Sequence, residues 1–288
     1  MNESSERMSL ITSAVACASG SPLTSTGLQP GVATSNGQEA VSTASPGNGQ
    51  VAEAAGRSCS TSDTRLKPDA NKNEADWLLW QLADSAFPTG GYAHSAGLEA
   101  AWQHGEIRDA AELRQWLVAS LDQLTGTALP FVNAACADPQ RLADLDQLFD
   151  AFTSNHVANR ASRLQGKALL GTVERVFHGS MELGHFQPGH AHFGPVFGAV
   201  ARALGLTHSH AIRLFVFMHL RSVIAAAVRL NIVGPMEGQA IQFQLSSHAE
   251  AVAQRGATLG LDHLAQTAPL FDLWQGAHDR LYSRLFQT

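Results

Sequence analysis

The residues best able to do chemistry begin with five histidines, His185, His190, His192, His208 and His210, gathered in and around one loop-rich stretch. Imidazole is a common ligand for nickel and zinc. Glu182 and His185 have Glu-x-x-His spacing, but a helical two-metal site needs that motif twice, and Gly184 interrupts this copy. With no ligand set at a recognisable spacing, the pattern predicts histidines that cap helices or face solvent, and no metal ligand is assigned. The alternative is a helical metalloenzyme or a nickel-holding metallochaperone using the His185–His210 region. Asp84, His94 and Ser95 have the residue types of an orienter, a base and a nucleophile, yet a triad is defined by geometry and no nucleophile elbow surrounds Ser95. Ser95 reads better as the N-cap of a helix that begins at Ala96. Lys167 lies in Gly166-Lys167-Ala168, without the preceding glycine spacing or following hydroxyl of a phosphate loop. No catalytic residue and no cofactor is therefore assigned, and the chain is not expected to be an enzyme.

One motif calls for more than a structural reading. Phe87-Pro88-Thr89-Gly90-Gly91-Tyr92 is a turn in which proline fixes one φ and the glycines permit φ above zero. A tight connector explains Pro88, Gly90 and Gly91 but gives no reason for two aromatics beside them. An aromatic-flanked turn can serve as a recognition loop.

Helices must position these residues. Asp109 and Glu112 have capping-box spacing, and Leu113, Trp116, Leu117, Ser120, Leu121 and Leu124 follow at helical intervals until Gly126. Asp138-Pro139 marks another start, with Leu142, Leu145, Leu148, Phe149 and Phe152 as its apolar face. Further helices are predicted at about 75–85, 96–104, 157–177, 194–204, 208–230, 236–245 and 270–286. In the last of these, Leu281, Leu285 and Phe286 form an apolar stripe and Arg280 and Arg284 a basic edge. Alternating strand patterns are nearly absent, which predicts an all-α fold, a single globular helical bundle domain over 75–288.

Residues 1–74 contain no Phe, Trp or Tyr and are rich in Ser, Thr, Gly, Ala and Asn, so a disordered N-terminal extension is expected there. Leu10 to Ala18 is weakly apolar, but it lacks the basic leader of a secretory signal. Ala211 to Leu230 carries Arg213, His219, Arg221 and Arg229 and reads as a buried helix rather than a membrane span. With a net charge of -6 and no nucleic-acid-binding motif, nucleic-acid partners are disfavoured. Cys17, Cys59 and Cys136 form no disulfide framework or CxxC site, which fits a cytoplasmic location.

The run from Trp80 to Glu99, WQLADSAFPTGGYAHSAGLE, closely resembles the N-terminal signature of the UreF family of urease accessory proteins. Phe193-Gly194-Pro195-Val196-Phe197-Gly198, Ala225-Ala226-Ala227-Val228-Arg229-Leu230 and Leu281-Tyr282-Ser283-Arg284-Leu285-Phe286 resemble that family too, in its order. The resemblance covers residues 76–288 and implies a helical homodimer that binds a second accessory protein, UreD or UreH, and the GTPase UreG, and helps put nickel into apo-urease. The nickel chemistry and GTP hydrolysis would then belong to partners. It also implies partner-binding roles for Pro88, Gly90, Gly91, Tyr92, His94, Ser95, Glu99, Arg229, Tyr282, Ser283, Arg284, Leu285 and Phe286.

Overall fold

The computed structural model describes residues 72–178 and 188–288. The expected extension, apart from Lys72–Glu74, lies outside the described residues, as do Leu10–Ala18, Cys17, Cys59, Glu182 and His185.

Local signals set most helix starts. Helix α1 is Lys72–Ala83 and α2 is Leu98–Gln103. Asp109 caps α3, Ala110–Leu124, by accepting from the backbone N–H of Ala111 and Glu112, while Glu112 reaches back to the N–H of Arg108. The capping box is thus present with its return bond shifted by one residue. Helix α4 is Ala128–Ala137; a 3-10 turn at Pro139–Arg141 then leads into α5, Leu142–Phe152. Asn155 caps α6, His156–Val176. Phe193–Ala203 is α7, and Thr207 caps α8, His208–Arg229. Pro235 opens α9, Pro235–Gln244, which is followed by α10, Ser246–Gly256, and α11, Pro269–Ala277. Among the described residues there is no strand, and the chain is the all-helical bundle that the sequence predicts.

Helix α8 is the central element, packed by α1, α2, α3, α4, α7, α9 and α10. Its length and composition would suffice to cross a membrane, yet 61% of its most apolar window is buried inside the protein. Leu113, Leu117 and Leu121 of α3, Phe131 of α4, Leu145 of α5 and Ile212 of α8 are among the side chains fully removed from water. Each contributes roughly 1.5–3 kcal/mol. Helices α4 and α7 make the most extensive pairing, which explains Gly198: a Cβ there would collide with the Val132 carbonyl oxygen, whereas Gly194 lies closest to the Phe149 ring of α5. The start of α7 is pinned by Asp146, a fully buried carboxylate that accepts from the N–H groups of His190, Ala191 and His192 at 2.7, 3.0 and 2.7 Å. Three such donors offset the cost of burying its charge.

Two predicted details are corrected. Helix α2 begins at Leu98, not Ala96, and its N-cap is Gly97 rather than Ser95. The helix predicted over 270–286 stops at Ala277; a 3-10 turn follows at His278–Arg280, and residues 281–288 are not helical. Leu281, Leu285 and Phe286 therefore form no helix stripe, and Arg280 and Arg284 no helical edge.

Candidate functional site

The turn after α1 is built by its own polar groups. Asp84 accepts from the N–H of Ala86 at 2.9 Å, and Phe87 is buried with its ring centroid 6.3 Å from that of Phe177. The Pro88 carbonyl accepts from the Thr172 hydroxyl of α6 at 2.9 Å, and the Gly91 carbonyl from the Ser222 hydroxyl of α8 at 3.3 Å. Gly90 lies in the left-handed region at φ 74, where glycine avoids the Cβ penalty; Gly91 does not, so the expectation of positive φ holds for one of the two. Gly91–Ala93 then forms one 3-10 turn that leaves Tyr92 75% exposed. The Tyr92 carbonyl faces inward, accepting from the Arg229 guanidinium at the end of α8. That guanidinium also lies over the Phe286 ring, 4.2 Å from its centroid, a cation–π contact between α8 and the C-terminal segment.

The C-terminal segment is held along the turn and α2. The Ala93 carbonyl accepts from the N–H of Gln287 at 2.8 Å, and Thr288 accepts through its main-chain oxygen from the N–H of Ser95 at 2.7 Å and the Ser95 hydroxyl at 3.3 Å. His94 is buried and its Nδ1 bonds the Thr288 hydroxyl. Burial, with help from the nearby Arg160 and His278, lowers the His94 pKa from 6.5 to about 4, so the imidazole is neutral at pH 7. Glu99, 1% exposed, is the principal anchor: its carboxylate accepts from the N–H of Leu285 at 2.6 Å, the N–H of Phe286 at 3.2 Å and His278 Nε2 at 3.1 Å. Gln103 bonds the Ser283 carbonyl at 3.0 Å. Ala96 and Gly97, at φ 53 and 85, swing the backbone from the Thr288 contact into α2; for Ala96 this conformation costs roughly 1–2 kcal/mol. Ser95 therefore binds the C-terminal segment rather than capping a helix.

The structure thus brings together Pro88, Gly90, Gly91, Tyr92, His94, Ser95, Glu99, Arg229, Leu285 and Phe286 as one junction. Tyr92, Tyr282 and Leu285 expose large side chains from it, with Tyr282 fully in solvent and Leu285 52% exposed. Ser283 and Arg284 are exposed on the same segment, Arg284 lying 3.4 Å from the Asp279 carboxylate. Sequence reasoning did not find Thr172, Ser222, His278 or Thr288, whose contacts cross 84 to 194 residues of chain and leave no local spacing.

The other chemical candidates are placed differently. Asp84, His94 and Ser95 are each bonded elsewhere, as given above, and do not line up as a triad. Among the described histidines of the His185–His210 region, His190 and His192 lean on Asp150 at 3.7 and 3.0 Å, while His208 bonds Asn133 at 2.9 Å. Among the described residues, no three His, Cys, Asp or Glu side chains are arranged to hold a metal ion.

Residues 107–246 match the family model described as UreF. Three relatives are similar over most of their length. A urease accessory protein F of Oryza sativa subsp. indica is 38% identical over 221 residues, covering 74% of this chain and 85% of the relative. One from Arabidopsis thaliana is 36% identical over 219 residues, with 73% and 91% covered. A urease accessory protein UreF of Mycobacterium tuberculosis is 35% identical over 213 residues, with 73% and 97% covered.

Proposed function

Because this chain belongs to the UreF family of urease accessory proteins, we propose that it acts in urease maturation as a non-enzymatic assembly factor. It binds UreD or UreH and the GTPase UreG, works as a homodimer in the cytoplasm, and helps load nickel, as cargo, into apo-urease. The observation that carries this reading is the junction of the 84–99 turn with the C-terminal segment. Its polar groups are spent on holding two chain segments together, and what it turns outward is Tyr92, Tyr282 and Leu285. Exposed aromatics on a rigid base lose little conformational entropy when bound, which suits protein recognition. Their neighbours His94, Ser95 and Glu99 are buried and already hydrogen-bonded, so they are poorly placed to attack or protonate a substrate.

The test is activation of apo-urease in vitro with nickel, GTP, UreD or UreH, and UreG, in the presence and absence of this protein. Activation is expected only when it is present, with no GTP hydrolysis by the isolated chain. Equal activation without it, or GTP hydrolysis by it alone, would overturn the proposal.

A further inference from the structure

On the side of the bundle where α5 ends and α6 begins, the structure has an open polar groove of about 670 Å³. Its floor is one face of α6. Arg160, Arg163 and Lys167 recur there at three- and four-residue spacing, which sets neighbours about 5–6 Å apart along the helix. Leu164, 45% exposed, sits in the same row, and Asn159 and Thr153 add polar groups. The whole chain carries a net charge of -6, so three cations in one row run against its average.

The near end of the row is neutralised. Asp279 accepts from Arg160 at 2.7 Å, lies 3.1 Å from His156 and 3.4 Å from Arg284. Asp150, the carboxylate at the groove edge, is taken up by Asn159 at 2.9 Å and His192 at 3.0 Å. Among the described residues no carboxylate pairs with Arg163 or Lys167 at the far end.

We propose that this groove docks an acidic segment of a partner protein, a short run of Asp or Glu side chains laid along α6. The arrangement decides between anions. A compact ion such as phosphate is best held by donors that converge on one point, whereas a straight row of cations matches a row of carboxylates. Exposed Leu164 adds an apolar contact that a peptide can use and a simple ion cannot. This proposal does not depend on the docking role of the tail junction, because it can be read with the isolated protein and a peptide.

The experiment uses a fluorescein-labelled octa-glutamate peptide and the full chain, followed by fluorescence anisotropy. Binding is expected to weaken at least about tenfold in the Arg163→Glu/Lys167→Glu double variant, and to fall as salt rises from about 50 to about 300 mM. Arg108→Glu, a charge reversal at the exposed start of α3, is expected to leave it unchanged. Circular dichroism checks folding, and Arg163→Gln/Lys167→Gln, expected to lose affinity in the same direction, replaces the reversal if that variant misfolds. Four results would overturn the proposal: no binding by the wild type, equal binding by the double variant, an equal loss in Arg108→Glu, or displacement of the peptide by inorganic phosphate at matched charge concentration.

Discussion

Glu99 is the residue at which α2 and the C-terminal segment are joined. A carboxylate 1% exposed costs several kcal/mol to desolvate, and it persists because two backbone N–H groups and the His278 imidazole converge on it. Nearby His94 solves the same problem by staying neutral. Its pKa of about 4, lowered chiefly by burial, and the similarly lowered pKa of about 4 at half-buried His219, mean that the fold binds fewer protons than the unfolded chain between pH 6.5 and 4. Their stabilising effect is complete above pH 6.5 and is lost progressively as pH falls towards 4, by at most roughly 3 kcal/mol for each imidazole. Asp122, Asp150 and Asp279, whose pKa values are held below the usual value by paired side chains, lose theirs only at lower pH. Urea unfolding from pH 7 to 4.5 should therefore show falling stability, with a shallower slope in His94→Gln; an identical slope would mean that His94 is not held neutral.

At the scale of elements, the C-terminal segment is a strap rather than a helix. Removing residues 281–288 should leave helical circular dichroism nearly unchanged, because no helix is lost, while lowering the thermal midpoint as Phe286 leaves its site. A clear drop in helicity would contradict the strap. The sequence pattern over 270–286 suits a helix well, and what ends it is non-local: Glu99, some 186 residues away, claims the N–H groups of Leu285 and Phe286. Strong caps and amphipathic repeats, as at Asp109 and in α5, were legible. Helix α4 was missed because nearly every residue is apolar, leaving no period, and Thr127 makes no side-chain cap bond. Helix α10 was missed because it follows α9 after only Leu245, without a capping side chain. The turn was legible as a Pro/Gly bend from Pro88 and the glycines, but its support by Thr172, Ser222 and the C-terminal segment was not, since those contacts exist only in the folded chain.

Over the whole molecule, one central helix carries the bundle, and Arg229 at its C-terminal end ties the Tyr92 turn to Phe286. The fold thus fixes a surface that local sequence only hints at. In the function proposed above, the junction docks a partner through side chains the fold does not need. Tyr92, 75% exposed, separates docking from folding: an exposed side chain far from caps and core changes stability by about 0.5 kcal/mol or less, whereas an aromatic anchor in an interface is worth about 2 kcal/mol or more. The decisive measurement is the affinity of Tyr92→Ala for UreD or UreH, taken beside its thermal midpoint. Binding weakened about 30-fold with the midpoint unchanged is the expected result; wild-type affinity in a folded variant would contradict docking through this junction.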